Sequence, residues 1–303
     1  MIALKIIFII VALVIVVIAL MAAKVAYNVA HPRTFTLDEI YTWEKQKDLI
    51  FDYESLEKEE FVVVSYDGYR LNGYYFKNTS NKFIIFTHGY TSNRFQSLKY
   101  LDIFYKLGYN CIIYDDRGHG VNKKSPITMG YWESKDLIKV VQETYNRFGD
   151  DIHLGLHGES MGSGIQINAL RHLPNIKFVV NDCGYGVFKD VLKDQIKHAH
   201  LPRFIAYPAG MVSKILYGYN MCKLKPVDSL WKNTVPICFI HGDSDKFTNK
   251  IQSKIMYDAT KGYKELHYFK DADHAMSFEM CQNEYRNVVQ SFLVKIQEKG
   301  DLI

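Results

Sequence analysis

The chain has 303 residues, 48% of them hydrophobic and 23% charged, with a formal net charge of +4. That composition excludes a disordered polymer, and Lys and Arg scattered among Asp and Glu, not gathered in blocks, give no footing for a nucleic-acid partner. Five cysteines, odd in number and without a CxxC pair, indicate neither a disulfide framework nor a zinc site.

Residues 6–23 form an uncharged aliphatic run. At about 1.5 Å per helical residue it nearly matches a hydrocarbon core roughly 30 Å thick, so it is long enough to span a bilayer. Lys5 and Lys24 bracket it and Tyr27 follows at the depth of an interfacial aromatic. Ala22, Ala23 and Ala26 offer small residues for signal cleavage, but the run exceeds the roughly 7–15 residues of a signal's apolar region, which favours an uncleaved anchor. Flanking charge is balanced, the α-amine and Lys5 against Lys24 and Arg33. Because a first apolar segment delivers the chain downstream of it to the translocon, the domain is expected outside the cytoplasm.

The resulting division is an anchor over residues 1–30, a charged connector with one helix over 31–60, and a domain over 61–300. The domain opens with two β-prone runs, 61–66 and 69–76, joined at Asp67-Gly68, a hairpin signal. Short apolar runs come next at 83–86, 111–114, 152–156, 178–180, 237–240 and 266–269, of the kind that fits strands buried on both faces. Cys111 and Cys238 fall within these runs and read as buried thiols acting as small hydrophobes. Amphipathic stretches separate the strands, among them one carrying Leu137, Val140, Val141 and Phe148 on one stripe. The expected fold class is therefore α/β: a mostly parallel eight-stranded sheet with an amino-terminal antiparallel hairpin. Residues 185–230 hold no strand and two amphipathic helices, and read as a cap inserted over the carboxyl ends of the strands.

The chemistry-bearing motifs sit at strand ends. Gly158-Glu159-Ser160-Met161-Gly162, between a strand and a helix, is a nucleophile elbow: a sharp turn that lifts the Ser160 hydroxyl clear of the sheet. Thr87-His88-Gly89-Tyr90 ends an earlier strand, so the backbone N–H groups of Tyr90 and Met161 are the expected oxyanion donors, with His88 shaping the loop. A serine hydroxyl needs a base, and the base a third group to orient it. His274, after the last strand, is the base. For the acid, Asp245 holds the His-Gly-x-x-Asp position after the preceding strand; Asp243 is the alternative, and otherwise braces the turn. His119 reads as structural, and His198-x-His200 lacks acidic or cysteine partners at ligand spacing, so no metal and no cofactor is expected.

The span from about Glu60 to Phe292, with Thr87-His88-Gly89, Tyr114-Asp115-Asp116-Arg117-Gly118-His119-Gly120, the Ser160 motif and Asp273-His274-Ala275, resembles the α/β-hydrolase superfamily. Within it the set is similar to the membrane-anchored bacterial YqkD-like serine hydrolases. The resemblance implies an esterase-like activity, with Asp273 standing where such loops usually carry glycine. Together these readings lead to the expectation of a serine hydrolase that cleaves an ester or thioester of a small acyl or lipid-derived molecule through an acyl-enzyme on Ser160. An acyltransferase or peptidase with the same three residues, and a membrane-tethered binding protein without catalysis, are the alternatives.

Overall fold

The β-prone runs pair into a single eight-stranded sheet in the computed structural model, which describes residues 1–50, 52–173 and 175–298. The strands are β1 (Lys58–Val64), β2 (Arg70–Phe76), β3 (Lys82–Thr87), β4 (Asn110–Tyr114), β5 (His153–Glu159), β6 (Phe178–Asp182), β7 (Ile237–Gly242) and β8 (Lys264–Phe269). Their spatial order is β1-β2-β4-β3-β5-β6-β7-β8. β2 runs antiparallel to β1 and β4, and all other pairs are parallel. The hairpin turns at Gly68, whose φ of +82° suits a residue without a Cβ.

Ten helices surround the sheet among the described residues: α1 (Ile2–Ala30), α2 (Leu37–Gln46), α3 (Leu98–Lys106), α4 (Glu133–Phe148), α5 (Met161–Leu170), α6 (Phe188–His198), α7 (Ala206–Tyr217), α8 (Ile251–Ala259), α9 (Ser277–Met280) and α10 (Gln282–Glu298). Successive strand residues point to opposite faces, so a continuous apolar run needs cover on both. Phe83, Ile85, Leu154, Leu156 and Phe239 pack with Leu137 and Val140 of α4 and Ile165 of α5. Their neighbours Ile84, Phe86, Cys111, Val180 and Ile240 turn the other way, towards Phe104 of α3 and Tyr285 and Phe292 of α10. Each large apolar side chain so buried contributes about 1.5–3 kcal/mol. Parallel strands of this kind end along one edge of the sheet, and the motif loops leave from that edge.

Between β6 and β7 the chain forms α6, a 3-10 turn over Arg203–Ile205, α7 and two further 3-10 turns. α7 stops at Gly218, which adopts the left-handed conformation (φ 73°) that closes helices. The last two residues of the expected 61–300 domain, 299 and 300, lie outside the described residues.

α1 is long and apolar enough to cross a membrane, and it does not stand clear of the domain. Residues 2–17 are exposed, whereas Ala22, Ala26 and Ala30, four apart on one face, are buried where the helix packs along α7 and the Arg203–Ile205 turn. Small side chains at that spacing let two helix backbones approach closely. The second half of α1 is thus both the end of an apolar span and part of the folded unit. Removing residues 1–17 should leave the melting temperature in mild detergent essentially unchanged, whereas removing 1–30 should lower it by about 5 °C or more. Equal melting temperatures for the two truncations would show that the packing on α7 contributes nothing.

Candidate active site

Ser160 alone makes the turn between β5 and α5, at φ 54° and ψ −111°. A side chain in that region is strained by about 1–3 kcal/mol, so the surroundings must hold it there. Its N–H donates to the Asp182 carbonyl at 2.8 Å and its carbonyl accepts from the Gly164 N–H at 3.1 Å. The flanking glycines are needed for close approach: a Cβ on Gly158 would lie 2.6 Å from the Ser163 nitrogen, and one on Gly162 would collide with the Thr87 carbonyl oxygen.

The loops after β7 and β8 bring Asp245 and His274 to this serine. His274 Nε2 lies 2.8 Å from Ser160 Oγ, and His274 Nδ1 lies 2.7 Å from Asp245 Oδ2. The other oxygen of Asp245 accepts the Phe247 and Thr248 N–H groups at 2.8 and 2.7 Å. His241, the histidine of the His-Gly-x-x-Asp motif, brings its Nε2 to 3.1 Å from Asp245 Oδ2, a second imidazole on the same carboxylate. Burial raises the Asp245 pKa, but the hydrogen bonds from His241 and His274 outweigh it and bring the group down to about 2.

Asp243 occupies the bracing role. Its Oδ1 accepts from the Asp271 N–H at 2.7 Å and the Ser244 hydroxyl at 3.1 Å. Asp273, unexpected at a glycine position, fits without strain, because the left-handed residues in this loop are Asp271 and Ala275 (φ 59° and 60°). Its carboxylate accepts the N–H groups of His274 and Lys246 at 2.8 and 2.9 Å, tying the two loops together.

The loop after β3 closes over the serine from the other side, where a Cβ on Gly89 would meet the Ser160 Cβ at 3.6 Å. Neither the Tyr90 nor the Met161 N–H is spent in a turn or cap hydrogen bond among the described residues. His88 is fixed on both ring nitrogens: Nδ1 lies 2.8 Å from the Gly89 carbonyl, and Nε2 accepts the Asp116 N–H at 2.9 Å. Full burial holds its pKa well below the ordinary histidine value. His119 is buried against it, ring centroids 5.0 Å apart, and burial pushes it down to about 4. A cavity of about 490 Å³ opens beside His274, lined by Gln195 and His198 of α6 and by Lys246, Phe247 and Met276.

Two features here were not legible from motifs. Glu159, the residue before the serine, is buried and accepts from Gln96 Nε2 at 2.6 Å and from the Tyr100 hydroxyl, while Lys99 Nζ lies 2.7 Å away. Gln96 Oε1 in turn accepts the Gly89 N–H at 2.8 Å, so one carboxylate ties the elbow to the loop after β3. The second is Tyr90, whose hydroxyl donates to the Val29 carbonyl at 2.8 Å, at the end of α1. Burial lowers the Lys99 pKa, and the Glu159 and Glu44 carboxylates more than offset it. Glu159→Ala should therefore lower unfolding free energy by about 3–5 kcal/mol, since it strands the Lys99 charge, and Glu159→Ala with Lys99→Met should recover much of the loss. Denaturant unfolding measures both; a single variant as stable as the parent contradicts this account of the elbow.

Comparison with known proteins agrees with this architecture. A family model described as serine aminopeptidase, S33, matches residues 78–181. The uncharacterized protein YqkD of Bacillus subtilis is 32% identical over 263 residues, covering 84% of this chain and 85% of its own. Among solved structures, the Pyrococcus furiosus esterase Pf2001 aligns with a TM-score of 0.67 at 23% identity, over 82% of this chain and 93% of that one. An acylaminoacyl peptidase of Pyrococcus horikoshii aligns with a TM-score of 0.61 at 17% identity, over 80% of this chain and 43% of its own. Shared sequence over most of both chains, with the sheet and elbow described above, makes this protein a member of the α/β-hydrolase family and a relative of YqkD within it.

Proposed function

We propose that the protein is a serine hydrolase that cleaves a carboxylic ester or thioester through an acyl-enzyme on Ser160. The observation that carries the proposal is the continuous chain of contacts Ser160 Oγ to His274 Nε2 at 2.8 Å and His274 Nδ1 to Asp245 Oδ2 at 2.7 Å, at the head of a strained elbow.

In this mechanism His274 takes the hydroxyl proton as Ser160 Oγ bonds to the acyl carbon, and Asp245 holds the ring with Nδ1–H towards it and stabilises the imidazolium. The Tyr90 and Met161 N–H groups receive the oxyanion, aided by the positive end of α5. His274 then gives its proton to the leaving oxygen or sulfur. Water repeats the sequence on the acyl-enzyme, with His274 again accepting a proton, and frees the acid. Phe247 and Met276 give the cavity beside His274 an apolar wall for an acyl group. α1 crosses the bilayer once and sets the domain on the extracytoplasmic side. A peptidase is the second reading, favoured by the aminopeptidase description of the matching model. Parallel assays on p-nitrophenyl esters and aminoacyl p-nitroanilides separate the two.

Ser160→Ala should abolish ester hydrolysis and fluorophosphonate labelling with melting temperature preserved, and surviving labelling would remove Ser160 from the role. Asp245→Asn should lower kcat by about 10⁴, as loss of the orienting acid does in serine hydrolases, while Asp243→Asn stays within a few-fold of the parent. The reverse ranking would move the acid to Asp243.

A further inference from the structure

A second cavity, of about 470 Å³, is sunk between α4, the end of α5 and the segment from α7 to Lys225, and contains none of the residues assigned to chemistry. Its basic wall is made by Lys135, Arg171, His172, Lys214, Lys223 and Lys225, against a single carboxylate, Asp228. Neither the four lysines nor Arg171 form an ion pair among the described residues. Some cations elsewhere on the surface are matched, as in Lys77–Glu57, Arg147–Glu143 and Lys254–Asp258, and others are not; what distinguishes the hollow is that five without an ion pair line it together. For a chain whose net charge is only +4, this gathers five unpaired cations around one hollow. Like charges so placed repel, and a bound anion relieves the repulsion. Lysine ammonium groups and an arginine fork are the donors that phosphate takes. The space exceeds that of a bare phosphate, and Met211 and Leu224 add apolar lining.

The cavity's position relative to α1 identifies the source of the phosphate. The His31 ring, just past the end of α1, lies 5.6 Å from the ring of Tyr217, the last residue of α7. The Arg203–Ile205 turn, before α7, also packs on α1, so the two helices run side by side in the same direction. With equal rise, Met211 stands level with Val25, and Lys214 with Asn28. Those levels are about 3 and 7.5 Å beyond Ala23, the end of the apolar run. Headgroups occupy roughly 5–7.5 Å on each side of the hydrocarbon core. Phe204 and Tyr207, both more than half exposed at 51% and 53%, stand level with Ile18 and Met21, inside the span. Tyr207, Met211 and Ile215 form one exposed stripe along α7, the pattern of a helix seated in a membrane interface.

We propose that the basic hollow beside α7 binds the phosphate of an anionic phospholipid. The anion site stands on the unpaired cations alone; its lipid source rests on the reading of α1 as a membrane span, and neither depends on catalysis at Ser160.

The test is calorimetric titration of the full-length protein in maltoside detergent with dioctanoylphosphatidylglycerol, dioctanoylphosphatidylcholine, glycerol 3-phosphate and inorganic phosphate. The phosphatidylglycerol should bind at least tenfold tighter than any of the other three. Lys214→Gln/Lys223→Gln/Lys225→Gln should weaken it by about a hundredfold, given the contribution of each lysine near an anionic surface. A variant with the same net charge, Lys232→Gln/Lys261→Gln/Lys270→Gln, should bind like the parent. Equal binding of the two dioctanoyl lipids, or equal loss in the two triple variants, would overturn the site. Glycerol phosphate binding as tightly as the phosphatidylglycerol, with the same loss in the first variant, would overturn the lipid source. Because the readout is binding, an inactive hydrolase leaves it unaffected.

Discussion

The backbone of Ser160 is held in a conformation that costs free energy, and the rest of the domain is arranged to keep it there. The hydrogen bonds from Ser160 N–H to Asp182 and from Gly164 N–H to Ser160 fix the turn on both sides. The carboxylate of Glu159, one residue away, gathers Lys99, Tyr100 and Gln96 beneath it. A strained residue persists only where its environment over-determines it, and here that environment is a buried, charged network. The parallel sheet supplies the rigid edge from which the turn projects, because strands buried on both faces leave β5 little freedom to move.

The same network reaches α1. Gln96 couples Glu159 to the Gly89 N–H, and the next residue, Tyr90, hydrogen-bonds through its hydroxyl to a terminal carbonyl of α1. The last turn of a helix leaves carbonyls without intrahelical donors, and this phenol satisfies one of them. Ile127 N–H satisfies another at Ala30, 2.8 Å away. The segment after α1 is fastened to the same loop by Phe35 N–H to the Thr91 carbonyl at 2.8 Å and by the Asn93 amide on the Phe35 and Thr36 carbonyls. The apolar helix therefore serves as one wall of the loop that faces the serine.

Local signals in the sequence carried the strands and the elbow, and marked Ser160, Asp245 and His274 at the strand ends that the fold brings together, because apolar period and turn glycines act over a few residues. Asp67-Gly68 marked the hairpin, and burial on both faces of β3 and β7 matched their unbroken apolar runs. What motifs do not encode is pairing across the fold. Glu159 meets Lys99 across 60 positions, and Tyr90 meets Val29 across 61. A buried acid at the second position of the elbow was itself a signal, since a charge there requires a partner. Motif position alone favoured Asp245 over Asp243, and in the structure it is Asp245 that meets His274.

The measurement that bears most directly on a serine acyl-enzyme is rapid-quench mass spectrometry of the full-length protein during turnover of a p-nitrophenyl ester, with peptide mapping of the quenched protein. An acyl mass on the peptide carrying Ser160, appearing with the first turnover and lost as substrate is exhausted, is the predicted result. Steady hydrolysis with an unmodified Ser160, or an adduct on any other residue, would contradict it.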